Sequence, residues 1–184
     1  HNKVWQWEEL PDGIRFSLYS PDGEGGFPGN IRVITDYRFN EDNELSVRHY
    51  AETDCATYIN MTNHAYFNLC GKGKKITEHR LHIPADRILD TTPAFIPTGK
   101  RMNVKNTPFD FTSLKPIGTD LYADHEQLLW NKGYNHCYIL KDEISVEMLE
   151  AASLYEPVTG RNMTVMTDLP AVLLYTAGYY ERPD

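Results

Sequence analysis

The residue types that could carry out chemistry are concentrated in one stretch, residues 60–71. It places one histidine, His64, beside the amide of Asn63 and the rings of Tyr66 and Phe67. Imidazole gains or loses a proton near neutral pH. An asparagine amide both donates and accepts hydrogen bonds, to a neighbouring side chain or to a sugar hydroxyl. This mixture predicts a polar pocket with an apolar floor; the alternative is a buried strand end with an ordinary hydrogen-bonded histidine.

Other charged and titratable residues favour structural roles. His79 and His82 form an H-x-x-H pattern, which on a strand directs the two rings to opposite faces and disfavours a shared metal ion. We interpret His49 and His125 as surface or packing residues. Asp86–Arg87 is more typical of a structural ion pair or a turn than of a catalytic pair.

Alternating apolar and polar residues predict a series of strands in the first third of the chain. The alternation has a period of two and runs through Gly13–Ser20, Ile31–Phe39 and Leu45–His49. Turn residues separate these segments, in the dense run Pro21–Gly29 and at Asp42–Asn43. Three strands in series with short connections are typical of an antiparallel meander.

The rest of the chain is less regular but still favours strands. We predict one or two helical turns within Asp120–Trp130, loops with short strands over residues 93–118, and longer strands at Ile76–Ile83, Tyr134–Leu140, Ile144–Leu154 and Met163–Thr167. The continuous apolar run Val172–Tyr175 predicts a strand that is covered on both faces. The chain stops soon afterwards, so we expect further chain or a partner to cover the edge of this strand. Together the elements predict an all-β fold, a large antiparallel β-sandwich.

Composition is that of a globular, acidic chain. The 184 residues are 41% apolar, which suffices for one sizeable core, and the formal net charge is −8. The excess of acid disfavours nucleic acid and anionic membranes as partners. No apolar run approaches the ~20 residues that a membrane span needs. Length favours a single domain over residues 1–184, and both a monomer and a homodimer stay open.

The cysteines and glycosylation sequons bear on the compartment. Cys55, Cys70 and Cys137 are odd in number and include no C-x-x-C pair, so neither a disulfide framework nor a zinc site is indicated. A reducing compartment is the simplest interpretation. Of the N-x-T sequons at Asn60 and Asn162, the first would carry a glycan beside the candidate chemistry. We therefore predict a cytoplasmic protein.

Several short motifs resemble, in the right order, those of the galactose mutarotase (aldose 1-epimerase) family. Within the stretch of residues 60–71, the segment Asn63–Leu69 is similar to the family motif N-H-x-Y-F-N-L. The resemblance extends over nearly the whole chain, at Ser20–Asn30 (S-P-D-G-E-x-G-F-P-G-N), Ala85–Arg87 (A-D-x), Ile96–Gly99 (I-P-T-G), Thr107–Phe111 (T-P-F-D-F), Gly133–His136 (G-[YF]-D-H) and Asp168–Thr176 (x-x-P-G-x-Q-F-Y-T).

The resemblance implies the family's large β-sandwich and the interconversion of α and β anomers of free hexoses such as galactose or glucose. It implies that His64 is the catalytic acid and that a glutamate is the base, although no glutamate of this chain matches. Neither a cofactor nor a metal is required. Asn63 and Asn135 are implied substrate-binding residues. Tyr66 and Tyr175 could stack on a pyranose face, although aromatic residues at strand spacing more often belong to a core.

The sequence departs from the family pattern in three ways. The aspartate of G-[YF]-D-H is Asn135, which keeps hydrogen bonding but lacks the charge; the alternative is that Asn135 is simply a turn residue. We interpret its neighbour His136 as structural. The glutamine and phenylalanine of the Q-F-Y-T strand are Leu173 and Leu174. A further histidine, an arginine and a glutamate of the family have no match, so we expect the chain to be incomplete at both ends.

Two functions of different classes are consistent with these residues. The first is an aldose 1-epimerase, an isomerase that acts by acid/base ring opening. The second is a non-catalytic carbohydrate-binding or regulatory homologue with a degenerate site, which Asn135 and the missing flanks favour. Both take a small-molecule hexose as partner. Polarimetry with a parallel measurement of sugar binding separates them.

Overall fold

The protein is described from a computed structural model, in which residues 3–71, 74–143 and 146–179 can be described. The chain forms two compact units, residues 1–66 and 67–184. The described residues contain twelve strands, one α-helix and two 3-10 helices. Every strand pair among them is antiparallel. The predicted all-β class is confirmed, whereas a single domain over residues 1–184 stays a prediction.

Unit 1 contains a four-stranded meander. Its strands are β1 (Gln6–Leu10), β2 (Gly13–Ser20), β3 (Ile31–Phe39) and β4 (Leu45–Thr53), which pair in chain order. The three strands and the meander predicted from alternation are confirmed. The sequence did not reveal β1, because its residues are mostly exposed and include two adjacent glutamates, so no apolar alternation marks it.

The two faces of this sheet differ in chemistry. Thr35 is buried on one face, and its hydroxyl lies 2.9 Å from Nδ1 of His49, which is therefore a packing residue as predicted. Asp36 points to the other face and is also buried. Its carboxylate accepts hydrogen bonds of 2.6 and 2.8 Å from the Arg15 guanidinium, and these bonds hold the pKa of Asp36 below its usual value. A buried carboxylate is costly without such a partner.

The predicted turn over Pro21–Gly29 contains a 3-10 helix, Glu24–Gly26, and a side chain closes it. The Asp22 carboxylate accepts a hydrogen bond of 2.6 Å from the N–H of Gly29. Gly29 has a φ of 86°, and a Cβ at this position would lie 2.8 Å from Cβ of Cys55. Both the backbone conformation and the close approach of the chain therefore require glycine here.

Unit 2 contains two four-stranded sheets that share a core. Its strands are β5 (Arg80–His82), β6 (Arg87–Thr91), β7 (Pro97–Asn103), β8 (Lys115–Pro116), β9 (Asn135–Ile139), β10 (Leu149–Tyr155), β11 (Asn162–Thr167) and β12 (Ala171–Tyr175). One sheet has the order β11-β10-β5-β8 and the other β12-β9-β6-β7. Side chains of both sheets meet in one core, to which one sheet contributes Leu81 and Ala152, the other Ile88 and Tyr138, and the segment between β7 and β8 Phe109 and Phe111. This is the sandwich arrangement that the sequence predicts.

The α-helix α1 (Glu126–Asn131) confirms the helical turns predicted within Asp120–Trp130. His125 caps it, since the His125 Nδ1 accepts a hydrogen bond of 3.3 Å from the N–H of Gln127. The ring also packs edge-on against Phe109 at a centroid distance of 4.8 Å, so His125 is a packing residue as predicted. In the part of the chain that the structure describes, no helix is long and apolar enough to cross a membrane.

Two predicted strands have different bounds. The strand predicted at Ile76–Ile83 is confined to β5, because the preceding residues form a turn in which the N–H of His79 donates to the carbonyl of Ile76 at 3.0 Å. The strand predicted at Ile144–Leu154 begins at Leu149. Residues 144 and 145 of that prediction lie outside the described residues.

The prediction that Val172–Tyr175 is covered on both faces is wrong. Among the described strands β12 pairs with β9 alone, at the edge of its sheet. Val172 and Leu174 pack against the core, but Leu173 between them is 59% exposed. The run is continuous because an apolar residue occupies an outward-facing position. The further chain or partner expected at this edge stays a prediction.

Candidate functional site

The predicted acid, His64, lies in an irregular loop. Residues 56–68 form neither helix nor strand, and Asn63, His64 and Tyr66 are all exposed. The rings of His64 and Tyr66 have centroids 5.3 Å apart and are tilted by 52°. The side-chain oxygen of Asn63 accepts a hydrogen bond of 3.1 Å from the N–H of Ala65. The alternative of a buried strand end is therefore wrong, and the three predicted residues of the motif are neighbours in space.

The three side chains suit proton transfer to a polar molecule. Each ring nitrogen of an exposed imidazole can give or take a proton. Asn63 uses its oxygen to shape the turn around His64, which leaves the amide nitrogen as a donor to a ligand. Tyr66 presents an aromatic ring on which a pyranose could stack. The catalytic role of His64 and the binding roles of Asn63 and Tyr66 stay predictions.

Two surface concavities of unit 1 adjoin its sheet. Their volumes are about 400 and 290 Å³, and Arg32 lines both of them. Tyr19 lines the larger and Tyr50 the smaller. His64 lines neither, so the polar pocket predicted around this histidine stays a prediction.

Two further predicted residues, Asn135 and Tyr175, meet in unit 2. Asn135 is the first residue of β9, Tyr175 is the last of β12, and the two are direct partners in the antiparallel register. Such partners share one face of a sheet, with Cβ atoms about 4.5–5.5 Å apart. The alternative that Asn135 is simply a turn residue is wrong, because it belongs to a paired strand.

The backbone at Asn135 is fixed by the neighbouring histidine. Its N–H donates a hydrogen bond of 2.9 Å to Nδ1 of His136. His136 is fully buried, and its ring centroid lies 4.4 Å from that of Phe109. Burial, together with the nearby His125, lowers the pKa of His136 to about 4. The ring is therefore neutral near pH 7 and keeps Nδ1 as an acceptor, which confirms the structural role predicted for His136.

The face that carries Asn135 and Tyr175 also carries an exposed apolar residue. Leu173 pairs with Cys137 across the strands, and the alternation of side chains places both on this face. Leu173 occupies the position of the glutamine in the family motif. It presents methyl groups to solvent where that glutamine would present an amide.

The other residues singled out from the sequence have structural contacts. Nδ1 of His82 lies 3.7 Å from the carboxylate of Glu150. Arg87 pairs with Asp86 at 3.1 Å and with Asp142 at 3.2 Å, which confirms the structural interpretation of Asp86–Arg87. Across the described ranges, no three His, Cys, Asp or Glu side chains are grouped so as to hold a metal ion.

The sequence did not reveal the burial and the contacts of two polar residues of unit 2, His79 and Glu156. His79 is 1% exposed, and its Nε2 accepts a hydrogen bond of 3.0 Å from the N–H of Leu69. Glu156 is 2% exposed, and its carboxylate accepts hydrogen bonds from the N–H groups of Val158 and Thr159 at 3.1 and 2.6 Å. The side chain of Thr159 lowers the pKa of Glu156 most, by hydrogen bonding to the carboxylate, and the two N–H groups lower it further. The turn residues after Glu156 were a local signal, whereas nothing near His79 in sequence indicates its contact with Leu69.

Known proteins match this chain along nearly its whole length. The family model for aldose 1-epimerase matches residues 1–182. Galactose mutarotase from Rattus norvegicus is 35% identical over 179 residues, which are 97% of this chain and 50% of that protein. Aldose 1-epimerase from Escherichia coli (strain K12) is 35% identical over 166 residues, which are 90% of this chain and 47% of that protein.

A solved structure agrees with these matches. The crystal structure of galactose 1-epimerase from Lactobacillus acidophilus NCFM is similar with a TM-score of 0.83 and 30% sequence identity, over 97% of this chain and 52% of that one. The chain therefore spans about half the length of the relatives it matches. A family match over residues 1–182, with motifs and fold in agreement, leads to one conclusion: this chain belongs to the aldose 1-epimerase family.

Proposed function

We propose that the full protein carrying this chain is an aldose 1-epimerase that interconverts the α and β anomers of free hexoses such as galactose or glucose. The observation that carries this proposal is the exposed imidazole of His64, with Tyr66 at 5.3 Å and Asn63 beside it, in the matching motif of a family member. The names of the relatives, galactose mutarotase and aldose 1-epimerase, support the same reaction.

In the proposed mechanism His64 is the acid. It gives a proton to the ring oxygen of the pyranose while a base removes the proton of the anomeric hydroxyl, so that the bond between C1 and the ring oxygen breaks and the open aldehyde forms. Rotation about C1–C2 presents the other face of the aldehyde. The two proton transfers then run in reverse, and the ring closes as the other anomer. A positioned proton donor of this kind typically contributes a factor of about 10² to 10⁴ in rate.

The proposed binding residues are Asn63, Asn135, Tyr66 and Tyr175. The two amides would donate and accept hydrogen bonds with sugar hydroxyls, and the two rings would stack on a pyranose face. The cross-strand pairing of Asn135 with Tyr175 supports this assignment, because it sets an amide and an aromatic ring on one face of a sheet.

A non-catalytic carbohydrate-binding or regulatory role is the second candidate. Two observations favour it: Asn135 replaces the family's aspartate, and Leu173, 59% exposed, replaces the glutamine. Asn135 lacks the negative charge of the aspartate, and Leu173 lacks the hydrogen-bonding amide of the glutamine. Such a protein would bind a hexose without accelerating its mutarotation.

Polarimetry separates the two candidates. Freshly dissolved α-D-galactose or α-D-glucose is mixed with the full protein, and the rate of change in rotation is compared with the spontaneous rate, while calorimetry measures sugar binding. Binding with acceleration supports the epimerase. Binding without acceleration supports the second candidate, and a protein that does neither refutes both.

We also propose that the protein is cytoplasmic and binds neither nucleic acid nor membranes. All three cysteines are free thiols, as a reducing compartment favours. The net charge of −8 disfavours polyanionic partners. Fractionation of source cells, with blotting for the protein, tests the location.

A further inference from the structure

Three hydrogen bonds with side chains of unit 2 converge on the backbone of one residue, Leu69. Its N–H donates to Nε2 of His79 at 3.0 Å, and its carbonyl accepts a hydrogen bond of 2.8 Å from the guanidinium of Arg161. The hydroxyl of Thr159 lies 3.4 Å from the same carbonyl. Side chains therefore hold both polar groups of one residue in a loop, and we call these contacts the Leu69 clamp.

Each side of the clamp is itself supported. His79 is 1% exposed, and burial lowers its pKa, although the nearby carboxylate of Glu156 opposes this shift. A neutral ring keeps the lone pair on Nε2 that accepts from Leu69. On the other side, Glu156 binds the N–H groups of Val158 and Thr159, and so fixes the turn that precedes Arg161.

The hydrogen bonds around His64 are local, whereas those at the end of the Asn63–Leu69 motif reach distant parts of the chain. The hydrogen bonds of Thr62 and Asn63 stay within two residues along the chain, whereas those of Leu69 reach ten residues to His79 and 92 residues to Arg161. The backbone between has no helix or strand to stiffen it. The clamp thus fixes the chain five positions after His64.

We propose that His79 and Arg161 are positioning residues, which fix the segment carrying His64 through the backbone of Leu69. The catalytic part of this inference rests on the proposed epimerase function. A misplacement of about 1 Å in a reacting group can cost on the order of 10² in rate, so a clamp at this distance along the chain has a measurable effect on turnover.

Matched substitutions in the full protein test the clamp. Arg161 is exposed, so Arg161→Met should fold, whereas Arg161→Lys keeps a donor. His79→Gln keeps an acceptor near the place of Nε2, and His79→Leu removes it. We expect amide exchange at Leu69, followed by NMR, to quicken roughly tenfold in His79→Leu and Arg161→Met, and much less in the conservative variants.

Turnover gives the second readout. We expect kcat to fall about tenfold in Arg161→Met with KM nearly unchanged, and Arg161→Lys to recover most of the loss. Equal exchange at Leu69 in all variants would overturn the clamp, and faster exchange with unchanged kcat would overturn its positioning role. A wild-type protein without mutarotase activity would refute the proposed function and with it the positioning role, while the exchange data would still decide whether the clamp exists.

Discussion

The two groups of predicted site residues lie in parts of the chain with very different secondary structure. Asn63, His64 and Tyr66 lie in a loop without regular structure, and all three are exposed. Asn135 and Tyr175 lie in paired strands of unit 2, above a core that contains the fully buried Tyr138. A strand paired over a packed core resists displacement more than an irregular loop does.

This difference bears on what each group can do. Loops that a rigid scaffold positions commonly carry catalytic groups such as a proton donor. A binding residue instead gains from a fixed backbone, because the orientation of its hydrogen bonds is set before the ligand arrives. The contrast therefore favours chemistry at His64 and recognition at Asn135 and Tyr175.

The largest effect is expected from the loop. In the full protein, His64→Gln should lower kcat for mutarotation by a factor on the order of 10² to 10⁴, because the positioned proton donor is lost. Sugar affinity should change much less. Polarimetry gives kcat, and calorimetry gives the affinity. His82→Gln, at a half-buried histidine of unit 2, is the matched control. Equal turnover in both variants would remove His64 from the chemistry.

The group in the paired strands, Asn135 and Tyr175, can be tested through His136, the histidine that accepts a hydrogen bond from the N–H of Asn135. The pKa of His136 is about 4 in the folded protein, against an ordinary value of 6.5. Between these values the unfolded chain binds a proton that the folded protein does not, so the free energy of unfolding falls as the pH falls. One such group contributes up to about 1.4 kcal/mol per pH unit.

We therefore expect His136→Leu to flatten this dependence, measured by urea unfolding at a series of pH values from 7 to 4. His49 and His79, whose pKa values are also lowered by burial, leave a residual slope. Parallel curves for the variant and the wild type would mean that His136 does not stay neutral in the folded state.

Local patterns explain how much of the fold could be predicted. Ile31–Phe39 was predictable because a sheet with one buried face imposes a period of two on the sequence. β1 was not, because most of its residues are exposed and no burial constrains them. The exposure of Leu173 was also hidden, because an apolar residue at an outward position looks like one in a core.

The candidate site likewise has a part that could be predicted from the sequence and a part that could not. The motif around His64 is local, so its residues could be named from the sequence. The pairing of Asn135 with Tyr175 depends on a register between strands 40 residues apart, and the contact of His79 with Leu69 depends on tertiary structure. Such contacts follow from packing, and no short pattern encodes them.

A smaller effect is expected when the negative charge of the family's aspartate is restored at position 135. Asn135→Asp has nearly the shape of the original residue but supplies a carboxylate, which accepts stronger hydrogen bonds from hydroxyls than an amide does. If Asn135 binds the hexose as proposed, affinity should rise by roughly fivefold, which corresponds to about 1 kcal/mol. Calorimetry with galactose measures this change. Asn162→Asp, an exposed position that begins β11, adds the same charge elsewhere in unit 2. Equal affinities in the two variants would place Asn135 away from the sugar.

The smallest effect is expected at Leu173, which shares a face with Asn135 and Tyr175. Leu173→Gln exchanges exposed methyl groups for a neutral amide. A hydrogen bond between neutral groups contributes only about 0.5–1.5 kcal/mol, and the lower end applies to a solvent-exposed side chain, so hexose affinity should rise about twofold. The fold should tolerate the change, because the side chain is 59% exposed and packs little. Leu173→Met separates polarity from shape, and Leu169→Gln, at a 49% exposed leucine outside the strand, controls for a polar residue added elsewhere. A gain in Leu173→Gln alone would extend the binding face along β12. No gain, with Asn135→Asp effective, would confine recognition to the end of the strands and leave Leu173 as surface.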